Sequence, residues 1–134
     1  MLQILQSYKS GELWLAEVPA PLCKNGGVVV RTSHSFVSAG TERMLVDFAR
    51  KNIVGKAFAM PEQVKTVVRK MKTEGVAATV EKVRSKLDQP IPLGYSCAGY
   101  VEEVGSYVSG IRVGDRVACG GAGHANHAQY NHVQ

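Results

Sequence analysis

Three histidines near the end of the chain are the residues whose type and spacing first suggest chemistry. His124, His127 and His132 lie within nine residues of one another, and imidazoles both bind metal ions and titrate near neutral pH. In a strand, His124 and His132 would share one face while His127 pointed to the other, because side chains alternate. A metal site with three histidine ligands is therefore geometrically awkward, and the pattern favours ordinary polar histidines in strands and loops.

The cysteines suggest packing rather than chemistry. Cys23, Cys97 and Cys119 are far apart, and the chain has no C-x-x-C pair. An odd, unclustered set argues against both a disulfide framework and a zinc site made of thiolates. We interpret the three as small residues that fill packed positions.

Alternating apolar and polar residues at both ends of the chain predict the β-strands that would position such side chains. Residues 2–7 and 12–18 predict a hairpin, and the Val-rich segment 28–35 predicts a third strand. The stretch from Gly94 to Val117 predicts further strands, with glycines where the chain must turn sharply and a Gly-Asp-Arg-Val tetrad before the next strand.

The middle of the chain has helical periodicity instead. Thr41 predicts a helix N-cap, with Glu42 in the first turn, where the helix dipole favours an acidic residue. Pro61 predicts the beginning of a second helix, which Gly75 ends, and a third helix follows. The chain therefore predicts a mainly β fold with a helical insertion at about residues 42–88, rather than alternating βαβ units.

The net charge of +5 belongs entirely to this insertion. Residues 42–88 contain 11 Lys or Arg and six Asp or Glu, and the rest of the chain is neutral. The basic residues fall mainly opposite the apolar stripes, which indicates solvated faces of amphipathic helices. Two other interpretations remain: a cover that contributes Lys or Arg to a phosphorylated or nucleotide-linked substrate, and a surface for an acidic partner. Nucleic acid is not expected, because no aromatic residues are interleaved for base stacking.

Residues 94–105 and the tetrad Gly114–Val117 strongly resemble the GroES-like catalytic domain of the medium-chain alcohol dehydrogenase and quinone reductase superfamily. The hairpin, Pro-rich turn and Val-rich strand of residues 2–35 match the beginning of that domain. The resemblance implies a GroES-like, partly open β-barrel, formed as a single domain by residues 1–134. It also implies that this domain is the N-terminal piece of a longer enzyme.

The same resemblance implies that the usual zinc ions are absent. In zinc enzymes of the superfamily, the Cys of a Cys-Gly-Thr-Asp motif and the His of a Gly-His-Glu motif bind the catalytic zinc. Here Ala39 replaces the cysteine, Tyr95 the histidine and Ser96 the glutamate. The four-cysteine lobe that holds a structural zinc would follow Val117, where the chain instead has a glycine-rich turn. We therefore expect no metal.

One catalytic feature of the family is retained. Its threonine, matched here by Thr41, lies beside the substrate oxygen and the nicotinamide ribose, and its hydroxyl relays a proton. We therefore expect Thr41 and Tyr95 to be catalytic, and Gly40 and Thr41 to contact the cofactor. A capping hydroxyl at Thr41 and a packed aromatic ring at Tyr95 are the structural alternatives.

The cofactor of the family, NAD or NADP, binds mainly to a Rossmann domain that follows this one. The chain has no such fingerprint, since Asn126 stands where the third glycine after Gly121 and Gly123 would be. We therefore expect a Rossmann domain in the full-length protein, and little cofactor binding by this chain alone.

The resulting hypothesis is the substrate-binding and catalytic domain of a zinc-independent NAD(P)-dependent oxidoreductase. It would transfer hydride to or from a carbonyl, an alcohol or an activated alkene of a small-molecule substrate. Residues 38–43 with the insertion resemble a bacterial, two-part oxidoreductase subgroup. We expect a cytoplasmic protein with no membrane or nucleic-acid partner, and a homodimer is left open. The alternative is a non-catalytic GroES-like module that binds an acidic partner through its basic helices.

Overall fold

The computed structural model describes residues 1–51, 55 and 58–134, apart from the side chains of Leu45 and Gln63. Residues 52–54, 56 and 57 of the predicted insertion lie outside this set. The described part contains these strands and helices: β1 (Leu2–Ser7), β2 (Leu13–Glu17), β3 (Val28–Ser35), α1 (Ala39–Arg50), α2 (Pro61–Glu74), α3 (Val76–Asp88), β4 (Pro90–Pro92), β5 (Ser96–Val104), β6 (Arg116–Gly120) and β7 (Tyr130–Val133).

The strands form two sheets, and within the described residues neither closes into a barrel. The smaller sheet has the order β2-β1-β4, and the larger one has the order β6-β5-β3-β7. In the larger sheet β3 lies between β5 and β7, and all three of its strand pairs are antiparallel. The predicted mainly β fold with helices inserted between β3 and β4 is confirmed.

The apolar core of the larger sheet explains why the Val-rich segment forms a central strand. Val30 and Val101, which pair across β3 and β5, are 0% and 2% exposed. Val28 joins them, because residues two apart on a strand share a face. Partly buried apolar side chains from the end of β5, from the segment that follows it and from β6 pack around this cluster: Val104, Val108, Ile111, Val117 and Cys119.

The Gly-Asp-Arg-Val tetrad binds β5 through its backbone. The Gly114 N–H donates to the Val101 carbonyl at 2.8 Å, and the Val101 N–H donates to the Asp115 carbonyl at 3.0 Å. Gly114 has a φ of +90°, a conformation that residues with a side chain rarely adopt. The Asp115 carboxylate also accepts the Arg112 N–H at 2.8 Å, so the tetrad forms a hydrogen-bonded turn that sets where β6 begins.

The chain divides into two compact units. The sheet unit comprises Met1–Leu5, Leu13–Glu42 and Pro92–Gln134, and the helical unit comprises Gln6–Glu12 and Arg43–Ile91. In the described residues no helix is both long enough and apolar enough to cross a membrane.

One predicted boundary is wrong. The helix α1 begins at Ala39, so Thr41 lies inside its first turn and is not the N-cap. The Glu42 N–H donates to the Ser38 carbonyl at 2.9 Å, which makes Ser38 the residue from which the helix starts.

Candidate functional site

The candidate site is formed where four segments of the sheet unit meet. These are the end of β3, the first turn of α1, the turn that enters β5, and the loop that precedes β7. Each contributes a polar side chain or a close backbone approach.

The first turn of α1 is held by two hydrogen bonds from Ser38. The Ser38 backbone N–H donates to Glu42 Oε1 at 3.3 Å, as in a capping box shifted by one residue. The Ser38 hydroxyl donates to Thr41 Oγ1 at 3.3 Å. Because the Thr41 oxygen accepts this bond, its own proton stays available for a further acceptor. The Thr41 residue is exposed.

The side chain of His127 connects this turn to β3. His127 Nε2 lies 3.0 Å from Glu42 Oε1, and Nδ1 lies 2.9 Å from Ser35 Oγ. The His127 and Glu42 side chains are only 6% and 14% exposed, respectively. In the neutral imidazole, Nε2–H donates to the carboxylate and Nδ1 accepts the Ser35 hydroxyl, since a carboxylate can only accept. Both ring nitrogens of a buried histidine therefore have partners.

The turn before β5 passes directly over this histidine. The His127 N–H donates to the Leu93 carbonyl at 2.8 Å. A Cβ placed on Gly94 would lie 2.6 Å from the His127 nitrogen and 3.0 Å from its Cγ, so a side chain would collide there. Gly94 also has a φ of +93°. Only glycine satisfies both conditions.

The loop that carries His127 is fixed by a buried asparagine of β7. Asn131, which is 3% exposed, accepts the Asn126 N–H at 2.9 Å and donates to the Asn126 carbonyl at 3.0 Å. Its amide also donates to Thr32 Oγ1 at 3.0 Å. Asn126 therefore belongs to a buried structural network, at the position where a dinucleotide fingerprint would need a third glycine.

The predicted site residues are placed as follows. Gly40 and Thr41 lie in the first turn of α1, and no described atom beyond the neighbouring residues and backbone of this helix lies within 4 Å of where a Cβ of Gly40 would be. Tyr95 is half-buried, and its carbonyl accepts the Gly121 N–H at 2.8 Å. Thr41 is thus hydrogen-bonded to Ser38 and precedes Glu42 in the chain. Tyr95 follows Gly94, whose backbone lies against His127.

Sequence reasoning missed the role of His127. Its partners lie 85 and 92 positions earlier in the chain, so no local spacing could reveal them. No local sequence signal marked it, because the burial of the flanking Asn126 and Ala128 is known only from the structure. A polar residue between two packed positions needs hydrogen-bond partners. His124, by contrast, is exposed, and His132 lies on β7.

The two cysteines of the sheet face each other. Cys97 on β5 pairs with Cys119 on β6. Burial raises the pKa of the Cys97 thiol, and burial followed by the nearby Cys97 raises the pKa of Cys119 to about 11. Both are therefore protonated near neutral pH and poorly nucleophilic. Among residues 1–51, 55 and 58–134, no group of three or more His, Cys, Asp or Glu is arranged to hold a metal ion.

The helical unit contains a separate feature, an apolar cavity of about 790 Å³. Aliphatic side chains of α2 and α3 line it together with lysines, including Lys70, Lys82 and Lys86. Lys82 is paired with Glu74 at 2.8 Å, and Lys65 is paired with Glu62 at 2.8 Å. Part of the basic excess is thus neutralised by exposed ion pairs, as expected of solvated helix faces.

Comparison with solved structures identifies this arrangement of strands. An alcohol dehydrogenase superfamily protein from Novosphingobium aromaticivorans matches 99% of the chain, with a TM-score of 0.61 and 23% identity. The quinone oxidoreductase from Coxiella burnetii matches 100% of it, with a TM-score of 0.59 and 20% identity. Galactitol-1-phosphate dehydrogenase from Escherichia coli matches 100%, with a TM-score of 0.58 and 19% identity.

These similarities establish the fold, and they cover only part of the other proteins. The chain spans 32%, 34% and 36% of their respective lengths, about a third in each case. No curated protein matches the sequence. The family model for the alcohol dehydrogenase GroES-like domain matches residues 60–134, which include Tyr95 and His127. This match covers more than half of the chain, which therefore belongs to the alcohol dehydrogenase GroES-like domain family.

Proposed function

We propose that this chain is the substrate-binding and catalytic domain of a zinc-independent NAD(P)-dependent oxidoreductase, completed by a Rossmann domain in the natural protein. Its substrate would be a small carbonyl compound, alcohol or activated alkene. Residues 1–134 would form one GroES-like domain with the insertion at about 42–88. The observation that carries the proposal is the exposed Thr41 hydroxyl in the first turn of α1, in a chain whose residues 60–134 match this family.

The first turn of α1 leaves room for a nicotinamide nucleotide to approach. The space around Gly40 is open within 4 Å of a would-be Cβ, so a ribose could approach the backbone closely. Thr41 is exposed beside it and could contact the same sugar. When bound, the nicotinamide would supply or accept the hydride, which the protein itself cannot do.

The reaction at the substrate oxygen falls to the chain's own residues. As hydride reaches a carbonyl carbon, negative charge develops on the oxygen and must be neutralised by a proton or a hydrogen-bond donor. Thr41 can provide it, because Ser38 donates to its oxygen and leaves its proton free to point at the substrate. Such a hydroxyl is the expected donor where Ala39 and Tyr95 stand in place of the metal-binding cysteine and histidine. Tyr95 would line the substrate pocket.

The test is a pair of substitutions in the natural full-length protein. Turnover would be followed by nicotinamide absorbance with a panel of aldehydes, ketones, quinones and enones. Thr41→Val removes the hydroxyl and should lower kcat by about 100-fold, the lower range for a positioned acid–base group. Thr41→Ser keeps the hydroxyl and should retain most of the activity. Equal turnover of the Val variant and the wild type would exclude Thr41 as the proton donor.

Zinc independence has its own test. After dialysis against a chelator and verification of metal content, turnover should be unchanged. A loss that added zinc restores would show that a metal is used.

The alternative, a binding module, predicts loss of partner binding rather than loss of turnover. Charge reversal at Lys65, Arg69 and Lys72 would then abolish partner binding, and no nicotinamide-linked turnover would be found in the natural protein. Family membership favours the oxidoreductase proposal over this alternative.

A further inference from the structure

His127 is a buried titratable group that the proposed reaction does not use. Its ring nitrogens bind the side chains of Glu42 and Ser35 at 3.0 Å and 2.9 Å. The backbone on either side is also held, since the His127 N–H donates to Leu93 and the His127 carbonyl accepts the Ile4 N–H at 2.9 Å. The imidazole is therefore fixed in place, with its Nε2–H directed at the carboxylate of the first turn of α1.

A hydrogen-bonded route leads from this ring to Thr41. Glu42 Oε1 accepts both His127 Nε2–H and the Ser38 N–H, and the Ser38 hydroxyl donates to Thr41. The route includes a backbone N–H, so it cannot conduct a proton from ring to hydroxyl. It can fix position, because each bond restricts the group that comes next.

We infer that His127 is a positioning residue, which holds Glu42 and, through Ser38, orients the Thr41 hydroxyl. The inference rests on the proposed function insofar as Thr41 is the group that is oriented. Without the Nε2 donor, the largely buried Glu42 carboxylate would keep, among the described residues, one hydrogen bond, the 3.3 Å bond from the Ser38 N–H. A buried carboxylate that lacks donors rearranges toward water, and the first turn would move with it.

The experiment compares two variants of similar size in the natural full-length protein. His127→Gln keeps a side-chain N–H that can reach Glu42, whereas His127→Met fills the same space without any donor. The Gln variant should retain kcat within a few-fold. The Met variant should lose about 10- to 100-fold in kcat with little change in KM, since a displacement of about 1 Å can cost about 100-fold. His124→Leu, at an exposed histidine, is the matched control and should behave as wild type.

A double-mutant cycle separates positioning from simple loss of structure. If His127 acts through Thr41, then His127→Met should have almost no further effect in a Thr41→Val background. If the two substitutions instead lower kcat by independent factors that multiply in the double variant, the inference is overturned. Equal activity of the Met and Gln variants would also overturn it.

Hydrogen exchange makes the inference testable independently of turnover. The hydrogen-bonded amides of Ser38 and Glu42 should exchange faster in the Met variant than in the Gln variant, while amides of β3 and β5 stay equally protected. If no nicotinamide-linked activity exists, the proposed function fails, yet this difference would still support the positioning of the turn. Equal exchange in both variants would overturn it, whatever the activity.

Discussion

Gly94→Ala should be one of the most destabilising single-methyl changes in the sheet unit. Two costs add at this position. The φ of +93° would strain an alanine by about 1–2 kcal/mol. The new Cβ would also lie 2.6 Å from the His127 nitrogen, where relief requires movement of two backbone segments. Overpacking of this kind costs about 1–3 kcal/mol, so we expect a loss of about 2–5 kcal/mol in the free energy of unfolding.

Gly114 offers a matched control. Its φ of +90° is almost the same, yet no atom lies within 4 Å of where its Cβ would be. Gly114→Ala should therefore lower the free energy of unfolding only by the backbone strain of the positive φ, about 1–2 kcal/mol. Urea unfolding of the two variants, with midpoints compared at equal slope, gives the difference directly. Equal destabilisation of both would refute the close approach of Gly94 to His127.

Two further predictions concern the core and the thiols. Val30→Ala, at a fully buried position, should lower the free energy of unfolding by about 2 kcal/mol. Val113→Ala, at a residue that is 66% exposed, is the control and should change it by less than about 0.5 kcal/mol. Similar urea midpoints for the two variants would contradict the proposed core. Alkylation of Cys119, followed by mass spectrometry, should accelerate about tenfold for each pH unit up to its pKa of about 11, because only the thiolate reacts. A rate that levels off below pH 9 would show that the thiol is not buried as described.

The sequence predicted the elements well, because their signals are local. The β-branched, Val-rich character of residues 28–35 and the helix signals at Pro61 and Gly75 each lie within a few positions of the element they specify. The start of α1 was misplaced, because Thr41 and Ser38 are both good capping residues and only the backbone bond from Glu42 to Ser38 distinguishes them.

The candidate site was predicted only in part, for a different physical reason. Thr41 and Tyr95 were found by resemblance to a family, and their catalytic roles stay predictions. The His127 contacts arise from the pairing of β3 with β5 and β7, whose register no short pattern specifies. Residue type alone does not distinguish the buried His127 from the exposed His124, because burial is set by the tertiary fold.

The long sequence separation within the His127 cluster has a consequence for how the protein is made. Ser35 and Glu42 leave the ribosome 92 and 85 residues before the histidine that binds them. The first turn of α1 can form early, but its anchor cannot exist until the chain has been synthesised past residue 127 and β7 has docked beside β3. The cluster thus assembles among the last contacts of the sheet unit, and any nascent or truncated chain ending before residue 127 would contain Thr41 without its support.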